Sequence, residues 1–595
     1  MSATIRDSFA GQAIRAVSGG KLLRYAEEDP NFEIPDKYKR GYSEKKQPGG
    51  KPAPQDDPDA HGLSEHARSV RRARLQNSES RGSQDTVTGD DGQQGGHEGE
   101  SDEDREKREA IIVDWYGDDD PENPLNWSLG KKCLTTALIM LMTSSVYMGS
   151  SIWTPGIMDG MQYFGLGQVT VTLGLSLFVA GYGIGPLFLS PITEIPQIGR
   201  TTPYIITLLI FTVLQVPTAL VTNFAGFAIL RFLAGFVGSP PLATGGASIQ
   251  DMYTPHKVPY AMGLWGLSAG AAPAIAPVLS AFAVAVKGWR WAFYEMLWLS
   301  SGALAILVFL LPETSAQTIL LRRAQRLRKL TGNDKIHSQA ELDSKHESVG
   351  TIAKTALLRP FKMTFVEPIV LAINLYIGLI YAILYSYFES FPLVYGPSGY
   401  GFSLGISTLP FLALLVGSLI SYAVYAMWNR LYFEPLFHKS QGRVKPEARL
   451  PMSMAGAFCF PICLFWFGWT ANRTHWISPV IASGFFGLGT TWMFMPFLTY
   501  LPHAYPQSAA SVLASNDFVR SAFGAGMPLA AVPLFHNLGI AWGNTMLGCI
   551  TVLFIPIPFV LYKFGPWLRS RSPNALQDKQ IEESDPDPAA ERSDE

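Results

Sequence analysis

From Lys132 to Tyr562 the sequence is a succession of apolar stretches, each about 20 residues long. A helix of that length rises about 30 Å, the thickness of the hydrocarbon core of a bilayer. Inside that core every backbone N–H and C=O must be bonded by the chain itself, and a helix does this within one segment. Twelve such stretches can be counted, at 132–154, 167–189, 203–222, 225–248, 259–286, 291–311, 364–389, 403–428, 450–470, 476–500, 508–534 and 541–562. The expected fold is therefore an all-α membrane protein with twelve transmembrane helices. The polar insert 312–363 divides them six and six, which suggests two related six-helix halves.

The composition has the same origin. Hydrophobic residues make up 47% and charged residues 16% of the chain, against about 25% charged in soluble domains. Charge is crowded into 1–132, 313–365, 429–449 and 563–595. The expected organisation is a largely disordered cytosolic tail (1–131), a first half (132–311), a cytosolic central loop (312–363), a second half (364–562) and a cytosolic C-terminal tail (563–595). Within the first tail, 40–110 has too few large apolar side chains to bury a core. Residues 1–24 read either as a membrane-surface helix, with Ile5, Phe9, Ile14 and Val17 to one side, or as a frayed tail. The N-terminus lacks the long apolar run of a secretory signal, so the first span must direct insertion. A net charge of −2 points to no nucleic-acid partner. Cys133, Cys459, Cys463 and Cys549 all fall in apolar stretches and read as small buried hydrophobes.

Lysine and arginine placement orients the spans. With a cytosolic N-terminus, the inner loops hold Arg200, Lys257, Arg322, Arg323, Arg326, Arg328, Lys329, Arg430, Lys439, Arg443, Lys445 and Arg449. The outer loops hold little beyond Lys287, Arg290 and Arg473. Both termini are then expected in the cytosol. The run in "RRAQRLRKLTG" would either contact anionic lipid of the inner leaflet or serve orientation alone. A sequon, Asn472-Arg473-Thr474, falls in an outer loop that is very short for glycosylation.

Several long segments carry a further signal. They are "IRDSFAGQAIRAVSGGKLLRYAEEDPNFEIPDKY", "VDWYGDDDPENPLNWSLGKK" before span 1, "LPETSAQTILLRRAQRLRKLTG" after span 6, "HWISPVIASGFFGLGT" and "ASNDFVRSAFGAGMPL". In this order they resemble the fungal drug:proton antiporters with twelve spans, in the major facilitator superfamily. More closely, they resemble the exporters associated with resistance to fluconazole, benomyl and caffeine. The resemblance implies the major facilitator fold and export of small organic compounds, coupled to proton influx at the plasma membrane.

It also assigns candidate residues. In "LRFLAGFVGSP", Arg231 matches the arginine of the family's span-4 motif and is implied to take part in proton coupling. A charge at a helix centre costs at least ~2.5 kcal/mol, so it should face a watery cavity or a partner. Gly235 and Gly238 share its face and would admit a neighbouring helix. Ala234 stands where the family usually has Gln, which removes an amide from any relay there. In "GPLFLSPITEIPQIGRTTPY", Glu194, Gly199 and Arg200 resemble the gating loop between spans 2 and 3. There a carboxylate could face the N-terminus of span 11, whose free N–H groups favour an anion. Gly266, Gly270, Pro273 and Pro277 of span 5 match the antiporter motif, implied to pack against span 8, where Gly417 and Ser421 offer a small face.

Other polar groups lie within the spans. Asp517 and Arg520, three apart on span 11, are placed to pair. Glu389 either meets a cationic part of a substrate or sits in interfacial water. Tyr376, Tyr385, Phe388, Trp492, Phe494 and Phe497 are candidate cavity aromatics. Neither G-x-x-x-x-G-K-[ST] nor H-E-x-x-H occurs, and no cofactor or metal is expected beyond the coupling proton. The expected partners are a small-molecule substrate, protons and the bilayer, and the expected state is a monomer. The alternative within transporters is a proton-independent facilitator or uptake carrier for a small polar solute. A membrane enzyme should show a His/Asp/Glu constellation near one membrane face, and a receptor seven spans; neither occurs.

Overall fold

A computed structural model describes residues 2–39, 110–344, 349–572 and 574–583. Most of the segment expected to be disordered, 40–110, lies outside the described residues. Span 1 is Leu129–Ser151, span 2 Gln168–Glu194, span 3 Thr201–Leu220, span 4 Phe224–Gly238 continued by Pro240–Gln250, span 5 Val258–Lys287 and span 6 Arg290–Leu310. Span 7 is Pro368–Tyr395. Span 8 begins as Leu404–Thr408 and continues past a tight turn as Leu412–Trp428. Span 9 is Pro451–Thr470 and span 10 Ile477–Ala504.

The last two spans need a physical argument. Helical hydrogen bonding is continuous over Ala509–Phe554, 46 residues, or about 69 Å if straight. That is more than twice the hydrocarbon thickness. Gly539 breaks the run with φ 73° and ψ 169°, a conformation open to glycine. The chain folds back there. Span 11 (509–538) meets span 7 where Gly378 packs on Phe523 and Gly524 on Tyr381. Span 12 (540–554, continued by Pro556–Ser570) packs on span 9 through Gly468 against Asn544 and Phe458 against Phe559. Twelve spans result, and both described ends lie on one side, which we call the terminal face.

Large apolar side chains such as Leu209, Val213 and Val216 on span 3 and Phe309 on span 6 are exposed, as contact with lipid tails requires. Cys459 and Cys463 are buried, whereas Cys133 and Cys549 lie on the exposed surface, contrary to expectation.

The central insert is more than a loop. It carries a basic helix, Ala316–Thr331, a short strand and two further helices, Gln339–Ser344 and Val349–Val366. The strand Ile336–His337 pairs in parallel with Ile111–Ile112 from the lead-in to span 1. The N-terminus forms helices at Ser2–Asp7 and Phe9–Ser18. It packs on protein: Glu313 N–H donates to the Asp7 carbonyl (3.2 Å). The basic run also finds protein partners. Arg323 is only 1% exposed and ion-pairs with Asp120 (2.7 Å), Glu122 (3.1 Å) and Glu27 (3.4 Å). Arg326 pairs with Glu27 (3.0 Å) and Glu122 (3.1 Å), 3.7 Å above the Tyr25 ring. Burial opposes ionisation of Asp120, yet the Arg323 hydrogen bond and charge hold its carboxyl below the usual range.

Candidate functional site

Arg231 is buried where spans 1, 2 and 4 meet. Its Nε donates to the Gly174 carbonyl (2.7 Å), and Nη2 to the carbonyls of Gly149 (2.7 Å) and Ser150 (3.3 Å). The guanidinium also lies over the Phe178 ring, 4.5 Å from its centroid. The charge is thus met by carbonyl dipoles and a π-face rather than by a carboxylate. A Cβ at Gly235 would overlap the Phe178 carbonyl, so the glycine face of span 4 does let span 2 approach. Ala234 is buried as well.

Ser150 links this arginine to the second group of spans. Its Oγ accepts a hydrogen bond from Tyr385 on span 7 (3.0 Å). Tyr385 Oη is 3.0 Å from Tyr182 Oη on span 2, which is 3.2 Å from Tyr381 Oη on span 7. The Tyr381 ring sits 5.5 Å from the Arg520 guanidinium. Arg520 donates from Nη2 to Tyr147 Oη (3.0 Å) and from Nε to Asp517 Oδ1 (3.0 Å), so the expected span-11 pair forms. Asp517 Oδ2 is buried with no hydrogen-bond partner among the described residues. Hydroxyls both donate and accept, so Ser150, Tyr385, Tyr182 and Tyr381 form a reorientable chain whose ends lie beside the two arginines. Tyr147, Tyr182 and Tyr381 were not singled out in the sequence, because intramembrane tyrosines usually pack in cores.

Beside this chain lies a central cavity with about 660 Å³ of atom-free space, its open mouth included. Trp265, Gly266 and Gly270 of span 5, Tyr381 of span 7, Phe494 of span 10 and Arg520 line it. One cation and a few hydroxyls, among them Ser418, Thr490 and Thr491, in a mostly apolar wall are the usual make-up of a small-molecule site.

Span 5 packs on span 8 as expected, but not through Gly266 and Gly270. A Cβ at Gly270 would meet only open space, and one at Gly266 would meet Met495 of span 10. These glycines therefore face the cavity, not span 8. Span 8 is met one turn earlier, where Gly263 packs on Tyr422 and the Tyr422 hydroxyl donates to the Tyr260 carbonyl (3.2 Å). Gly417 and Ser421 face span 10 instead. Pro277 has no N–H to offer the Pro273 carbonyl four residues back. Ser151 Oγ of span 1 donates to that carbonyl at 2.6 Å.

The loop between spans 2 and 3 places its charges differently from expectation. Glu194 is exposed, and among the described residues no hydrogen bond joins it to the N-terminus of span 11. The carboxylate that meets helix N–H groups is Glu313, beyond span 6. It accepts from the amides of Arg200 (3.1 Å), Thr201 (3.2 Å), Thr314 (3.1 Å) and Ser315 (3.1 Å). Gly199 has φ 75°, and a Cβ there would collide with the Glu313 carboxylate. Arg200 ion-pairs with Asp251 at the end of span 4 (2.9 Å). Burial pushes the Asp251 carboxyl up to about 6; Arg200 opposes the shift and Glu313 adds to it.

Glu389 is buried near the end of span 7 remote from the terminal face, where Gln168 of span 2 donates to its Oε2 (3.3 Å). It lies outside the lining of the central cavity. Trp492 points away from the cavity and donates to the Ser421 carbonyl (3.1 Å). Tyr376 packs on Phe497 and Phe554, and Phe388 on Phe411.

Twelve spans around a central cavity agree with comparisons to known proteins. The chain is 44% identical over 468 residues to "Transporter mfs1" of Schizosaccharomyces pombe, covering 78% of this chain and 88% of the relative. It is 43% identical to "Multidrug transporter FLR2" of Candida glabrata, covering 78% of this chain and 80% of the relative. The xylose transporter XylE of E. coli has the same fold at a TM-score of 0.53 and 15% identity, over 77% of this chain and 99% of XylE. The sequence model described as "Major Facilitator Superfamily" matches residues 135–528, from span 1 into span 11, and the chain belongs to that superfamily.

Proposed function

We propose that the chain exports small, partly hydrophobic organic compounds across the plasma membrane in exchange for protons, by alternating access. In this reading the terminal face is cytosolic and the monomer is the working unit. A proton gradient is the energy source, with no cofactor. The names of relatives, a multidrug transporter among them, support the substrate class. The observation that carries the reading is the Asp517–Arg520 pair: Arg520 lines the central cavity, and Asp517 keeps one buried carboxylate oxygen without a donor.

Arginine does not deprotonate in proteins, so Arg231 is not the proton carrier. Its role is positional: it holds the Gly149–Ser150 and Gly174 carbonyls, and with them the serine that accepts from Tyr385. Asp517 is the acceptor we assign. An unpaired buried carboxylate oxygen costs free energy that protonation relieves. Protonation of Asp517 would weaken its hold on Arg520, free that cation toward the cavity, and couple proton uptake to substrate release. The contact of Glu389 with Gln168 joins spans 2 and 7 on the side remote from the terminal face, where an outer gate is required. Gly199 and Arg200 belong to a cytosolic brace acting through Asp251 and Glu313, which Glu194 does not join.

The test is efflux of a fluorescent drug such as rhodamine 6G from expressing cells, with and without a protonophore. Protonophore-sensitive efflux that Asp517→Asn abolishes is the expected result. Efflux indifferent to the protonophore would replace the antiporter with a facilitator.

A further inference from the structure

A second cavity lies on the terminal face, with about 990 Å³ of atom-free space counting its open mouth. Its walls come from both groups of spans: Gln250, Tyr253 and Val258 from the first, Phe433, Arg449 and His503 from the second. Leu498 lines both this cavity and the central one, so the two adjoin.

The charge in this cavity is Arg449, at the end of the turn Pro446–Arg449. Its Nε donates to His503 Nδ1 (3.4 Å), and its guanidinium stands 4.5 Å from the centre of the Phe433 ring. Among the described residues no carboxylate forms an ion pair with it. The acids nearby are engaged by other cations: Glu447 with Arg569 (2.8 Å), Glu434 with Lys257 (3.0 Å) and Asp578 with Lys445 (2.8 Å). Burial without a counter-charge pushes the Arg449 guanidinium down to about 10. The rest of the wall divides in two. Gln250, Tyr253 and Thr499 supply neutral polar groups, while Val258, Phe433, Phe437 and Leu498 supply an apolar surface.

A half-buried guanidinium offers a planar fork of donors that fits a carboxylate or phosphate bidentately. We propose that this vestibule binds an amphiphilic anion. Its carboxylate or phosphate head sits on Arg449, with Gln250 and Tyr253 at hand, and its tail lies along Phe433, Phe437, Val258 and Leu498. The head can belong to a lipid of the surrounding leaflet or to a dissolved amphiphile, for the chemistry is the same. Because the walls belong to both groups of spans, the ligand would favour the conformation in which they stand this far apart. The site does not depend on the direction of transport or on protons.

The test uses the full chain, purified into phosphatidylcholine nanodiscs, with thermal unfolding as readout. Dodecyl phosphate is the probe, and dodecyltrimethylammonium is the control of equal tail and opposite charge. The expected result is a saturable rise in Tm with dodecyl phosphate alone. Arg449→Gln should weaken its apparent affinity about tenfold or more, and Arg449→Lys should retain most of it. Val258→Trp fills the cavity from the other side and should abolish the response with Arg449 intact, which covers the case of an Arg449→Gln that does not fold. Nanodiscs containing phosphatidylinositol form a second arm. Stabilisation there that dodecyl phosphate no longer increases assigns a resident lipid headgroup, and a further increase assigns a dissolved anion. Equal responses in wild type and both cavity variants, or an equal rise with the cationic control, would overturn the proposal.

Discussion

The hydroxyl of Tyr385 on span 7 donates to Ser150 Oγ on span 1 at 3.0 Å, with both side chains buried. The two groups of spans are thus joined deep inside by a bond that would restrain the alternating access proposed above. Tyr385→Phe removes it, at a cost of about 1 kcal/mol to this conformation. The expected outcome is a Tm lower by a few degrees and faster exposure of the cavity, read by labelling of a cysteine placed at Thr491. Unchanged labelling would mean that the bond does not restrain the motion.

Arg231→Ala removes the guanidinium donor from three buried carbonyls, of which that of Gly174 keeps its bond within the helix. Each hydrogen bond to a charged donor is worth about 1.5–3 kcal/mol, so loss of efflux and reduced yield of folded protein are expected. Arg231→Lys keeps the charge but not the fork. It should restore folding in size-exclusion chromatography more than it restores efflux. Wild-type efflux by Arg231→Ala would remove this arginine from the mechanism.

Gly199→Ala introduces a side chain at φ 75° and into the space of the Glu313 carboxylate. The backbone strain alone costs about 1–2 kcal/mol. Glu313→Gln keeps the shape while removing the charge from four amides, and should destabilise by a similar amount. Both should lower Tm, and the double variant should fall short of the sum because the two residues touch.

The raised pKa of Asp251 makes this conformation sensitive to pH with a definite sign. Its carboxyl titrates at about 6 here, against 3.8 when solvated. The protonated form is favoured in this state, so its stabilisation is complete below about pH 4 and is lost as pH rises through about 6. Asp251→Asn should flatten the part of the Tm-against-pH curve between these values. A curve that stays steep there belongs to another group.

Arg323→Ala would leave buried Asp120 without a cation, while Glu27 and Glu122 would keep only Arg326. Removing one partner of a buried ion pair costs about 3–5 kcal/mol. Limited proteolysis should then cut between residues 20 and 40, at sites the wild type protects, while the spans stay intact.

The spans were legible because apolar length is a one-dimensional property. Even the Gly539 reversal falls in the gap left between 534 and 541. Arg231 was legible as an anomaly, but its partners were not, since backbone carbonyls carry no mark in a sequence. The gating loop shows the same limit. That a carboxylate would sit on helix N–H groups was sound physics. Which carboxylate depends on Pro312 and Glu313 returning beside span 3, a contact between residues over 100 apart. The basic helix was read for lipid contact or for orientation alone, and its protein partners were not legible because Glu27, Asp120 and Glu122 lie far upstream. Glycines on span 5 were assigned to the wrong neighbour because a small face says that something comes close, or that space is kept open, and not which.

The bond from Ser151 to the Pro273 carbonyl gives the two prolines of span 5 a use beyond bending. Pro277 leaves an acceptor that span 5 cannot fill, and span 1 fills it. Neither helix can then slide or rotate past the other without leaving that acceptor empty in a medium with no water to take it. Spans 1 and 5 are thereby fastened into one moving part, so whatever reshapes the cavity wall at Gly266 and Gly270 also carries the stretch of span 1 that holds Ser150.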